Sequence, residues 1–126
     1  AFEAVLYAPD QIVTEASASN IWMVNRGGVI QTHPATESIL GGVTRETVLK
    51  LAQRAKYKIR EKPFTLREML SAKEVFLTGT TTFVMPVSRI DDKPVAGGKP
   101  GATTLDLRRR YIQHLDKLDS KTSWNV

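Results

Sequence analysis

The sequence predicts an α+β domain, on three observations. Short β-branched and aromatic segments fill the first quarter, helix-start signals follow them, and strand-like segments return before a final amphipathic stretch. The order of strands, helices, strands and helix lacks regular βαβ alternation and argues for separate strand and helix regions around one core. A length of 126 residues suits one domain, expected over residues 1–118 with a polar tail over 119–126.

Strands are expected over residues 2–8, 11–14 and 20–25, divided by the turn signal Pro9-Asp10 and by the small residues Ala16, Ser17, Ala18 and Ser19. Asn25-Arg26-Gly27-Gly28 reads as a hairpin turn into a strand over 29–32. Thr44 can cap a helix running to about Tyr57, with Val48, Leu49, Leu51, Ala52 and Ala55 on its apolar side. Thr65 and Glu68 form a capping box, with Phe64 and Met69 as a hydrophobic staple, for a short helix ending near Ser71 or Ala72. Residues 74–79 and 82–90 read as two further strands, the second tolerating Pro86 only at an edge or bulge. Asp91-Asp92-Lys93-Pro94 is expected as a turn and Gly97 to Gly101 as a loop. A last helix over about 104–118 is expected to turn Leu105, Ile112, Leu115 and Leu118 inward.

Composition excludes several classes. No window holds enough consecutive apolar residues to span a membrane, so no membrane partner is expected. The absence of cysteine removes disulfides and thiolate metal sites and fits a cytoplasmic protein. The net charge of +5 is spread over three segments, which reads as solvated helix faces rather than a nucleic-acid surface. The chain opens without Met and already in strand-like sequence, as expected of a domain cut from something longer.

Three features bear on chemistry. Gly41-Gly42-Val43-Thr44 lets the backbone approach a partner closely and then opens a helix, whose free N–H groups and partial positive charge suit a phosphate; a plain glycine loop with a Thr cap accounts for the same residues. Thr78 to Thr82 places hydroxyls around Gly79 and is a second candidate anion loop, although threonine also simply suits strands. Glu15 stands before a shelf of small residues. A flat, phosphorylated, protonatable heterocycle accounts for all three features together.

The order of these residues is that of a known family. Glu15 with Asn20-Ile21-Trp22, then Ile30 with Thr32-His33-Pro34-Ala35, then Ile39-Leu40 with Gly42-Val43-Thr44-Arg45 and Val48-Leu49 resembles the class IV aminotransferase signature. Glu74, Phe76 and Thr78-Gly79-Thr80, followed by Pro86-Val87, Ile90-Asp91 and Gly98-Lys99-Pro100-Gly101, is similar to the C-terminal half of the same family, and Thr32 to Ala35 resembles its D-amino acid (D-alanine) aminotransferases. The resemblance implies the C-terminal pseudo-barrel domain of that fold, with helices outside, and pyridoxal 5'-phosphate as cofactor. It implies that Glu15 bonds the pyridine nitrogen, Leu40 packs on the ring, Val43 and Thr44 bind phosphate at the helix start, and Gly79 and Thr80 form the second phosphate loop. An amino acid and a 2-oxo acid would be the substrates, and a homodimer the assembly.

The family's Schiff-base lysine, by the same resemblance, lies upstream of the matched glutamate. Only fourteen residues precede Glu15 here and none is Lys, while the nine lysines run from Lys50 to Lys121. No catalytic residue is therefore expected within the chain, which by itself is expected to be inactive and to need the N-terminal half of the same protein. Phe83 departs from relatives that carry an acid there, and His33 is expected to be structural. Branched-chain aminotransferases and aminodeoxychorismate lyases share the fold and most of the signature. Two readings of another class stand beside these: a non-catalytic module binding phosphorylated heterocycles, and a basic domain binding nucleic acid through Arg108 to Arg110.

Overall fold

The computed structural model describes residues 5–7, 12–16, 20–34, 42–79, 83–90, 93–94 and 99–121. Ten short strands and three helices follow one another in these residues: β1 (Val5–Tyr7), β2 (Ile12–Ala16), β3 (Asn20–Val24), β4 (Ile30–Thr32), α1 (Val43–Arg54), β5 (Ile59–Glu61), β6 (Phe64–Thr65), α2 (Leu66–Leu70), β7 (Glu74–Gly79), β8 (Phe83–Pro86), β9 (Arg89–Ile90), β10 (Lys93–Pro94) and α3 (Ala102–Lys121).

An open five-stranded sheet, in the order β5-β4-β3-β7-β8, organises the rest. Its central strand β3 is buried at every residue, because both faces of the sheet are covered. The two-residue side-chain period then divides the strand between two cores. Ile21 and Met23 join Val75 and Leu77 of β7, with Phe64, Met69 and Ala72 from β6 and the α2 region. Trp22 and Val24 face the other way, where Phe76, Val84 and Ile30 meet Val48, Leu49 and Ala52 of α1 and Leu107 and Tyr111 of α3. Trp22 stacks on Phe76 at 5.4 Å, and its indole N–H donates to Thr78 Oγ1 at 2.9 Å, so its one polar atom is satisfied inside the core. A smaller sheet, β1-β2-β6, is antiparallel throughout, and β9 with β10 makes a two-stranded ribbon.

Several elements depart from what the sequence predicts, each for a physical reason. The hairpin turn at Asn25 forms as read, with Asn25 Oδ1 accepting from Gly27 N and Val29 N and Gly28 at φ +82°. Helix α1 ends at Arg54 rather than near Tyr57. Lys56 adopts φ +65°, its N–H donates to Gln53 O, and Tyr57 N donates to Ala52 O, the Schellman pattern that usually recruits glycine. Thr44 does not cap α1: Gly42 holds the N-cap position, and no side chain bonds there. Strand β5 is unannounced in the sequence, yet it lies parallel to β4, pairing Ile30 with Ile59. The strand expected over 82–90 is two strands, broken where Val87 N turns to Val75 O, and Lys93 and Pro94 pair with Ile90 and Arg89.

Helix α3 is rotated from its expected phase. Thr104, Leu107 and Tyr111 are buried, whereas Leu105, Ile112 and Leu118 are exposed; Leu115 alone of the expected set packs on the core. The rotation follows from its start. Glu74, buried in β7, accepts from Thr103 N, Thr104 N and Thr104 Oγ1 at 3.3, 2.8 and 2.7 Å, closing the helix N-terminus with a carboxylate from the central sheet. A Cβ on Gly101 would sit 2.0 Å from Glu74 Cδ, so the approach requires glycine. No helix among the described residues is long and apolar enough to cross a membrane.

Candidate active site

The described ends of the segments singled out for chemistry, Asn20, Gly42 and Thr78, are far apart in the chain and lie together at one end of the five-stranded sheet. Asn20, the first residue of β3, pairs with Thr78 near the end of β7, so the segment entering from Glu15 reaches the sheet beside the place where the Thr78-Gly79 segment leaves it. Asn20 Oδ1 lies where a Cβ on Gly42 would come within 3.2 Å, which puts the start of α1 against the same corner. Asn20 is therefore the residue on which all three segments converge. The signature reading gave it no role.

The start of α1 is open. The helix's first bond is Glu46 N to Gly42 O at 3.0 Å, and the N–H groups of Val43, Thr44 and Arg45 find no acceptor among the described residues. Val43 is 80% exposed, which leaves this first turn accessible. Thr44 is buried one position further on, and its hydroxyl lies 3.5 Å from the Tyr111 hydroxyl. Every group gathered here can donate, the arrangement suited to an anion at a positive helix end.

Arg45 fastens this turn to the sheet. It is 1% exposed, and it donates to His33 O at 3.0 Å, to Glu61 Oε1 at 2.7 Å and to Glu46 Oε1 at 3.0 Å, while its Nε has no partner among the described residues. One guanidinium thus joins the end of β4, strand β5 and the first turn of α1. His33 accepts from Arg45 through its backbone oxygen and places Nδ1 2.8 Å from Pro34 O.

On the opposite side stands Phe83, which pairs with Gly79 across β7 and β8. Its φ of +57° lies in the left-handed region, a costly conformation for an aromatic residue, and its ring meets Tyr111 at 5.8 Å with a 46° tilt. Of the residues predicted for the site, Val43, Thr44 and Gly79 are thus placed around one corner. Glu15 lies in β2 with its Cα opposite Leu6. Leu40 and Thr80 lie outside the described residues, as do Ser17 to Ser19. No group of acids or histidines that could hold a metal occurs among the described residues.

The start of α1, the end of β7 and the first residue of β3 lie together at one end of a mixed sheet, and the comparisons show which family such a domain belongs to. The family model described as amino-transferase class IV matches residues 1–90, and the chain belongs to that family. A D-alanine aminotransferase of Listeria monocytogenes is 40% identical over 115 residues, covering 91% of the chain and 39% of that protein. One from Bacillus licheniformis is 43% identical over 108 residues, 86% and 38% of the two. The structure of a branched-chain amino acid aminotransferase from T.th., complexed with N-(5'-phosphopyridoxyl)-L-glutamate, superposes with a TM-score of 0.87 at 34% identity, covering 93% of the chain and 39% of that protein. The chain therefore spans about two fifths of the length of the relatives it matches, and its fold is that of the C-terminal domain of class IV aminotransferases.

Proposed function

We propose that the chain is the cofactor-binding part of a pyridoxal 5'-phosphate-dependent transaminase that moves an amino group from a D-amino acid to a 2-oxo acid. The observation that carries this reading is the convergence on Asn20 of the segments leading from Glu15, into α1 and out of β7, with helix donors at the α1 start that find no acceptor among the described residues. The donor set fits a phosphate dianion: helix N–H groups, the Thr44 hydroxyl and the backbone at Gly79. When bound, pyridoxal phosphate supplies the electron sink that makes a substrate α-proton removable.

The residues of this chain then have separate tasks. Val43 and Thr44 hold the phosphate from the helix side, and Gly79 and Thr80 hold it from the loop side. Glu15 keeps a proton at the ring nitrogen, and Leu40 fixes the ring face. The lysine that anchors the cofactor and moves the substrate proton belongs to the part of the protein preceding this chain, without which the chain is inactive. Two copies of the intact protein form the working unit, in the cytoplasm.

The test is Glu15→Ala in the intact protein. Turnover should fall by about 10²-fold or more, as expected when a preorganised charge partner is lost, while the cofactor stays bound through its phosphate. Unchanged turnover would remove Glu15 from the site. The branched-chain reading has the superposition with the T.th. enzyme in its favour. Initial rates with D-alanine against L-leucine as amino donor separate the two.

A further inference from the structure

Tyr111 touches both sides of the corner, and no motif in the sequence points to it. It is 7% exposed and sits on the buried face of α3, among Trp22, Phe76, Val84 and Leu107. Its hydroxyl lies 3.5 Å from Thr44 Oγ1, with either oxygen able to donate, and its ring lies 5.8 Å from that of Phe83, the residue opposite Gly79. One side chain from α3 therefore links the first turn of α1 to the start of β8. That helix cannot drift, because Glu74 closes its start and Asp106 bonds Tyr57 next to α1 at 2.6 Å.

Proton direction gives this link a consequence. The Thr44 hydroxyl has one proton and two lone pairs. If Thr44 donates to Tyr111, it has nothing left to offer an anion. If Tyr111 donates to Thr44, the Thr44 proton is free to bond a phosphate oxygen, and a phosphate acceptor favours this second arrangement because the two hydrogen bonds polarise one another. The ring has a matching task at Phe83. A left-handed aromatic residue persists only where its surroundings hold it, and among the described residues Tyr111 is the aromatic ring against Phe83.

We propose that Tyr111 is a positioning residue for the phosphate end of the site: its hydroxyl donates to Thr44 Oγ1 and turns the Thr44 proton toward the phosphate, while its ring braces Phe83, the residue paired with Gly79. The inference rests on the reading of this corner as a phosphate site.

Its test compares the binding of pyridoxamine 5'-phosphate and pyridoxamine to the intact protein freed of cofactor, by calorimetry. Both bind without a lysine adduct, and they differ only in the phosphate. Tyr111→Phe keeps the ring and the packing, so it should bind pyridoxamine as the parent does and pyridoxamine phosphate about fivefold more weakly, the worth of roughly one hydrogen bond. In a Thr44→Val background the same change should have no further effect, because the proton it orients is gone. Equal affinity of Tyr111→Phe and parent for pyridoxamine phosphate overturns the proposal and leaves the transaminase reading standing. Equal weakening toward both ligands makes Tyr111 merely structural and also overturns it. A parent protein that binds both ligands alike overturns the phosphate reading itself, and the proposal with it.

Discussion

Two helices of this molecule begin in opposite ways. Helix α3 starts against a buried carboxylate: Glu74 takes two N–H groups and a hydroxyl, and Gly101 is there to let it in. Helix α1 starts at Gly42 with no side-chain cap, an exposed Val43 and first-turn N–H groups that find no acceptor among the described residues. The short helix α2 sides with α3, for Thr65 and Glu68 exchange bonds of 3.0 and 3.1 Å in a complete capping box. The difference teaches where the described residues supply a helix start with its acceptors and where they do not. The two starts that serve packing are closed from within the chain, and the start beside Asn20 is the one proposed to take the phosphate.

The comparison can be broken from its closed side first. Glu74→Ala removes the acceptor for all three donors at the α3 start and leaves a void against Gly101, and should cost about 3 kcal/mol in chemical denaturation. A loss under about 1 kcal/mol would mean that α3 holds its place without the carboxylate.

A smaller effect is expected where α3 meets the end of α1. Burial, then the bond to Asp106, push the Tyr57 hydroxyl up to about 12. Burial would also raise the Asp106 carboxyl, but hydrogen bonds from Tyr57, Arg110 and Arg109 outweigh it and hold it below its ordinary value. The raised tyrosine stabilises the fold fully below its ordinary pKa of 10.0 and loses that contribution as pH rises toward about 12. The depressed carboxyl stabilises above its ordinary value of 3.8 and loses that contribution as pH falls through its lowered one. Unfolding midpoints against pH should show both slopes, and Tyr57→Phe should flatten the alkaline one.

The smallest stability change sharpens the open side. Gly42→Asp gives α1 a cap of its own at a backbone of φ −78° and ψ 156° that already suits one. Stability should move by no more than about 0.5 kcal/mol, with Asn20 yielding a few tenths of an ångström. Affinity for pyridoxamine phosphate, in contrast, should fall at least about tenfold, because the new carboxylate claims the donors and repels the phosphate. Undiminished affinity would move the phosphate away from this helix.

What could be read in advance follows the reach of each interaction. The α2 box and its Phe64–Met69 staple are both present, since the interaction is complete within a few residues. Strand β7 keeps its expected bounds because its apolar run is buried on both faces. The α1 terminus was hidden because Lys56 takes the left-handed turn where glycine would have announced it. Strand β5 was hidden because Ile59 is flanked by Lys58, Arg60, Glu61 and Lys62, residues natural to an exposed edge. The α3 phase could not be read locally, since Thr104 is buried by a carboxylate thirty residues away. The candidate site divides the same way. Val43, Thr44 and Gly79 stood in recognisable motifs, whereas the parts of Asn20 and Tyr111 arise only when β3 meets β7 and α3 crosses α1.

The closure of α3 by Glu74 also orders assembly. The α2 cap spans three residues, so its turn can flicker into being on the isolated chain. The α3 cap spans thirty, and that loop entropy is recovered only once β7 has found its place in the sheet. Helix α3 is therefore secured late, and the tyrosine it carries reaches the proposed phosphate corner only after the strands beneath it are in register. A wrongly paired sheet would leave α3 undocked, so that competence for the ligand becomes conditional on correct strand order.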